Sequence, residues 1–142
     1  MNFRDLALTA ASISHLLAWV AFVLLVFVPV YSGASVTVTP AGAIPSQPVQ
    51  ATATFIEVNG WGVLPFILVP VAISGAGLLG VILVGPGRVL RRAPLGISTL
   101  LLLGFCIASS YSIGIFYLPA ALAMAVSGAV SLGQRRESAG NP

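Results

Sequence analysis

Between residues 6 and 132 the chain carries four charged side chains, Glu57, Arg88, Arg91 and Arg92, and everything else in that stretch is uncharged. Few folds are open to a chain patterned in this way. A helix needs roughly 20 apolar residues, within a range of about 17–25, to cross the hydrocarbon core of a bilayer. The runs at 6–30 and 61–84 meet that length. At the helical rise the third run, 95–132, would reach roughly 57 Å, nearly twice the thickness of the core. It divides at "SSYS", residues 109–112, its most polar point. Two short spans result, 95–110 and 112–132, joined by a tight turn. The expected fold is an all-α membrane protein, one transmembrane domain over 1–142 built as a bundle of four helices.

Composition supports the same reading. Apolar residues make up 58% of the 142 and charged residues 6%, and mean hydropathy is +1.06. A soluble domain is about one-quarter charged, so this chain has too few polar side chains to cover a water-facing surface. The surplus apolar surface is expected to face lipid. A signal peptide has an apolar core of only about 7–15 residues. The first run is far longer, so a retained helix is expected rather than a cleaved leader.

The arginines set the orientation. "GPGRVLRRAPLG", residues 85–96, holds three of the six, and no lysine is present. Short arginine-bearing loops stay in the cytoplasm. With four spans, Arg4, the loop 85–94 with Arg88, Arg91 and Arg92, and Arg135 and Arg136 in the tail 133–142 share one side. Both termini are then cytoplasmic, in a plasma (inner) membrane. These arginines read as topology anchors against lipid head groups, each worth about 1 kcal/mol near the surface. A specific dock for a lipid or protein is the alternative. The net charge of +3 does not imply nucleic acid, because the arginines cluster beside apolar spans. Tyr31, Trp61, Tyr111 and Tyr117 all fall near the expected outer interface, the layer such rings favour.

The segment 32–60 is the one substantial piece outside the spans. "SVTVTP" and "ATATFIEVNG" alternate small or β-branched residues with Thr, the period of a half-buried strand. "AGAIPSQPVQ" between them is rich in turn residues. A short extracytoplasmic β-hairpin lying over the outer helix ends is one reading, and a loop is the other. The last residues, "ESAGNP", are expected to fray.

Small residues let helix backbones approach in lipid. Candidate stripes are Ala10, Ser14, Ala18; Ala72, Ala76, Gly80; and Ala121, Ala125, Ala129. Pro70 and Pro119 lie inside spans. Each removes a hydrogen bond to the residue four earlier, Phe66 and Ile115, and kinks its helix. The freed carbonyls need a local partner, and hydroxyls of neighbouring helices are the expected donors. A shallow cavity opening outward between the two kinks is the alternative to a helix bent to fit its neighbours.

Reactive side chains are few: Asp5, His15, Glu57 and Cys106, besides hydroxyls and arginines. Cys106 is the single cysteine, which excludes an internal disulfide. It reads as a small packing residue. One His and one Cys do not make a metal site of ordinary ligand number within one chain. Asp5 and Glu57 fall on opposite sides of the expected membrane, so no carboxylate pair forms. No catalytic residue, cofactor site or metal site is expected. His15 is the sharpest residue, because it lies near the midplane of the first span and an ionisable group there is a functional candidate. It is read as a neutral His bonded to a Ser or Thr on a facing helix. Alternatively it binds a haem with a second copy, carries a proton or hydrogen-bonds a quinone.

The glutamate that small multidrug resistance transporters carry in the first helix has no counterpart, His15 standing at roughly that depth. The "W…GLW…C…C" pattern of tetraspan claudin-like proteins is reduced to "NGWG". "SIGIFYLPAALAMAV", residues 112–126, resembles a segment of small bacterial four-span membrane proteins with no assigned function. The resemblance implies a bacterial inner-membrane protein and brings no activity. The expected role is a non-catalytic accessory or interaction subunit, with the bilayer and another membrane protein, or a second copy, as partners. The alternative is a small transporter or channel using an outer cavity near Pro70, Pro119 and His15.

Overall fold

A computed structural model describes residues 3–35, 49–83 and 92–139. Its elements in order are α1 (Phe3–Phe27), β1 (Pro29–Ser35), β2 (Val49–Thr54), α2 (Phe55–Asn59), a single 3-10 turn (Trp61–Val63), α3 (Leu64–Leu83), α4 (Arg92–Ala108) and α5 (Gly114–Ala139). Three helical stretches are long and apolar enough to cross a membrane: Asp5–Phe27, Trp61–Leu83 and Gly114–Ser131. Ala93–Ala108 is a shorter apolar helix. Two compact units divide the chain, one holding α1 as far as Phe22 with α3 from Pro65, α4 and α5, and the other Val23–Leu64.

α1 and α5 bury narrow stripes rich in small residues, while α3 and α4 also bury Ile67, Val71, Val81, Leu95 and Leu102. On α1 the stripe is Ala7, Ala11, Ser14, Ala18 and Ala21. On α5 it runs through Tyr117, Ala120, Met124, Ser127 and Ser131. Steps alternate between three and four residues, an average of 3.5, which holds a straight seam toward a neighbouring helix. Many other large aliphatic side chains face outward: Leu16 is 63% exposed, Leu100 72%, Ile107 74% and Ile115 66%. Large apolar side chains thus cover much of the exterior as well as filling the interior.

The stripes spaced by four are buried in part. Ala10, Ser14 and Ala18 are all buried, and so is Ala121, whereas Ala72, Ala76 and Ala129 are exposed. A row spaced strictly by four drifts about 40° per step around a helix of 3.6 residues per turn, and so a stripe of this kind leaves the contact face after a few steps.

Contacts fix the helix directions. Ser14 of α1 reaches Ala120 of α5, and Ser127 of α5 reaches Ala7 of α1, so this pair is antiparallel. Thr99 of α4 faces Met124, while Phe105 packs against Tyr117, so α4 and α5 are antiparallel too. Tyr117 reaches Ile67, and Gly77 sits beside Met124, so α3 runs parallel to α5. The start of α1, the start of α4 and the end of α5 therefore share one end of the unit. Arg4, Arg92, Arg135 and Arg136 belong to those helix ends.

Two glycines are required by close approach. A Cβ on Gly80 would stand 2.7 Å from Cγ of Pro94. A Cβ on Gly114 would run into the carbonyl oxygen of Cys106. Gly114 closes the turn between α4 and α5, where the Ser109 carbonyl accepts from the amides of Ser112 (2.9 Å) and Gly114 (2.8 Å). The split of the third apolar run at "SSYS" is thus observed.

Within Val23–Leu64 a two-stranded antiparallel hairpin is present, with Tyr31 opposite Ala53 and Gly33 opposite Ala51. Its strands are not the ones read from the sequence. The first, "PVYSGAS", precedes the alternating "SVTVTP", most of which falls outside the described residues. The second stops at Thr54 because that residue caps α2. The Thr54 hydroxyl accepts from the Glu57 amide (3.2 Å) and the Glu57 carboxylate accepts from the Thr54 amide (2.6 Å), a capping box. "FIEVN" is therefore helical, and Gly60, at φ +77°, turns the chain out of it. α1 stops at Phe27, three residues before the apolar run ends at residue 30, and Pro29, lacking an N–H, does not continue it. The other end differs as well: α5 continues through Ala139, into the tail read as frayed.

Candidate functional site: a hydrogen-bonded belt at two proline turns

Hydroxyl groups in lipid-like surroundings bond to backbone carbonyls when no water is present. In this unit such bonds gather where α3 and α5 each carry a proline. Pro70 is buried within α3, and Pro119 lies within α5 with its ring exposed. Three connections link α1, α3 and α5 there. The Ser14 hydroxyl donates to the carbonyl of Ala120, one residue past Pro119, at 2.7 Å. The Tyr117 hydroxyl donates to the carbonyl of Ile67, three residues before Pro70, at 2.6 Å. His15 Nδ1 lies 3.0 Å from the Ser74 hydroxyl, which donates in turn to the carbonyl of Val71, one residue past Pro70, at 3.0 Å. Consecutive residues of α1 thus hold both proline turns, His15 acting through Ser74, and Tyr117 joins those turns to each other.

The proton on His15 can be placed from its partners. The indole N–H of Trp19 donates to Nε2 at 3.1 Å. An indole nitrogen only donates, so Nε2 accepts and the proton sits on Nδ1. His15 then donates to Ser74 Oγ. A nucleophilic Ser/His pair needs the opposite polarity, with the hydroxyl donating to the imidazole. The arrangement matches the expectation of a neutral His bonded to a Ser on a facing helix. Trp19, four residues along α1, orients the ring and stacks edge-on against both His15 and Phe22. Gly75 leaves room for the imidazole, since a Cβ there would stand 3.3 Å from Cε1 of His15.

Tyr117 is a correction. Its place near the end of a span suggested an interfacial ring, yet it is fully buried. Its ring packs edge-on against Phe105, which in turn meets Phe66, and its hydroxyl is held by Ile67. Tyr31, Trp61 and Tyr111 are exposed, as an interfacial reading requires. The hydroxyl expected at the Pro70 kink is present, but it meets the carbonyl of Ile67, next to that of Phe66.

The remaining sequence candidates are dispersed. Arg88 and Arg91 fall outside the described residues; Arg92 opens α4, and Arg135 and Arg136 lie in the last turns of α5. Glu57 serves the capping box of α2. Cys106 is buried at the edge of an open apolar groove of about 310 Å³, lined also by Leu103, Ile115 and Leu118. A second groove of about 370 Å³ lies along Thr99, Leu100, Ala125 and Gly128. Neither is lined by Pro70 or Pro119. Among the described residues no group of three or more His, Cys, Asp and Glu side chains is placed to hold a metal ion.

Comparison with known proteins leaves the belt to be read on its own geometry: no family model matches the chain, no curated protein matches its sequence, and no solved structure matches its fold.

Proposed function

We propose that the chain is an integral protein of a bacterial plasma membrane, with four spanning helices and both termini in the cytoplasm, and that it acts as a non-catalytic accessory subunit. The observation that supports this is the exterior: large aliphatic side chains such as Leu16, Leu100, Ile107 and Ile115 are exposed, while the seam between α1 and α5 is rich in Ala and Ser. Lipid is the solvent that tolerates such an exterior. The arginine-bearing helix ends share one end of the unit, and the positive-inside rule assigns that end to the cytoplasm. Buried hydroxyls of Ser14, Ser74, Ser109, Ser127 and Ser131 are each taken up by a carbonyl of the same chain. With these hydroxyls satisfied inside the chain, the outward apolar faces are left for a protein partner.

A second reading, a small transporter or channel, draws on the meeting of His15, Pro70 and Pro119 in one belt. Affinity purification of the tagged chain in mild detergent separates the two. A second protein at constant stoichiometry supports the accessory role. A homo-oligomer without a partner refutes it and favours the transporter.

A further inference from the structure

The stretches that precede the two prolines differ from the rest of their helices. Residues 65–69 of α3 and 113–118 of α5 each lie on the far side of a missing backbone hydrogen bond. A proline removes the bond to the carbonyl four residues earlier and weakens the helix at that turn. Beyond the prolines, α5 is tied to α1 by Ser14 and Ser127, and α3 is tied to α1 through Ser74 and His15. Before the prolines, the hydroxyl of Tyr117 on Ile67 joins the two stretches to each other. Toward α4 they meet Phe105 through the rings of Phe66 and Tyr117, and at the turn that opens α5 the Gly114 amide donates to the Ser109 carbonyl at 2.8 Å.

We propose that Pro70 and Pro119 are paired hinges and that the Tyr117 hydroxyl is the latch holding them closed. Release of the bond to Ile67 lets the two pre-proline stretches swing while the belt on α1 stays intact. Ile115 and Leu118 lie in the moving stretch of α5 and line the groove beside Cys106. Opening the latch therefore uncovers Cys106, which is 6% exposed when closed. The inference goes beyond the accessory role and holds equally for the transporter reading, because it concerns motion within the bundle.

Cys106 is the single cysteine of the chain, so its rate of reaction with a membrane-permeant maleimide reports the opening directly. The test compares the wild-type chain, reconstituted in phosphatidylcholine vesicles, with three variants. Tyr117→Phe removes only the hydroxyl and is expected to raise the rate roughly tenfold, the weight of one buried hydrogen bond. Ser127→Ala removes a comparable bond outside the hinge and should leave the rate unchanged. Pro119→Ala added to Tyr117→Phe restores the missing N–H at an exposed position and should return the rate toward wild type. An unchanged rate in Tyr117→Phe overturns the proposal. So does an equal rise in Ser127→Ala, or a rise that Pro119→Ala does not reverse. Amide exchange of the wild-type chain gives an independent check that needs no variant to fold. The amides of residues 66–69 and 114–118 must exchange faster than those of 71–80 and 120–127, and uniform exchange refutes the hinge.

Discussion

Ser14 and Ser127 exchange equivalent bonds between α1 and α5: Ser14 donates to Ala120 at 2.7 Å and Ser127 donates to Ala7 at 2.8 Å. The two bonds sit seven residues apart on each helix, about 10.5 Å along the axis. Between them the facing residues are mostly alanine. An antiparallel seam of this kind brings two backbones close enough for a one-carbon side chain to reach the opposite carbonyl. The same closeness admits nothing larger, so register and composition are fixed together.

Ser14→Ala and Ser127→Ala should each lower stability by about 1 kcal/mol, the usual net value of a buried hydrogen bond. Sites this far apart with no shared partner add to within about 0.5 kcal/mol. Unfolding by denaturant in mixed micelles, for both single variants and the double, measures the sum. A double variant no less stable than either single would mean that the two bonds do not form at once.

Gly77 and Gly80 give a contrast in what a close contact can absorb. A Cβ at Gly77 would stand 2.8 Å from Cε of Met124, the free end of a flexible side chain. A Cβ at Gly80 would stand 2.7 Å from the ring of Pro94, which has no rotamer to move to. Gly80→Ala should therefore destabilise by about 1–3 kcal/mol, the range for overpacking. Gly77→Ala should fall below that range, with any loss recovered in the background of Met124→Ala. Melting temperatures in detergent decide it, and an equal loss at both sites would contradict the contrast.

The long elements were legible in the sequence because apolar length and the position of "SSYS" are one-dimensional signals. The four helices and their turn follow from them. What escaped depends on pairing in space. β1 is written "PVYSGAS", with no alternation to mark it; it becomes a strand because Val49–Thr54 lies alongside. "FIEVN" continues an alternating run, and only the reciprocal bonds of Thr54 and Glu57 make it a helix. His15 was legible as a residue bonded across helices. Its orienting partner Trp19, at a spacing of four, was open to view as well. Tyr117 was not, because depth in the chain does not tell which face of a helix looks inward, and that face decides between lipid interface and interior.

Tyr111 caps the turn between α4 and α5 and is fully exposed. It stands at the end of the unit opposite the arginine-bearing helix ends. In a Cys106→Ala background, Tyr111→Cys should react with a membrane-impermeant thiol reagent added outside intact cells. A cysteine placed at Ser138, near the end of α5, should react only after the cells are opened. The reverse pattern would invert the orientation and set aside the positive-inside argument.

His15 and Trp19 supply the sharpest optical test, because the chain has only two tryptophans. With Trp61→Phe as background, emission comes from Trp19 alone, whose indole N–H is held by His15 Nε2. Removing the ring in His15→Ala leaves that N–H without its partner on an apolar helix face, and leaves Ser74 bonded only to Val71. The emission maximum of Trp19 should shift, and stability should fall by about 1–3 kcal/mol, the penalty of a donor left unsatisfied in apolar surroundings. His15→Phe should keep the packing against Gly75 and Trp19 and recover part of the stability, but not the original emission. In a structural role the accessory partner is still bound by either variant once the bundle is folded. Loss of partner binding in both variants, with melting close to wild type, would instead give the imidazole a direct functional part.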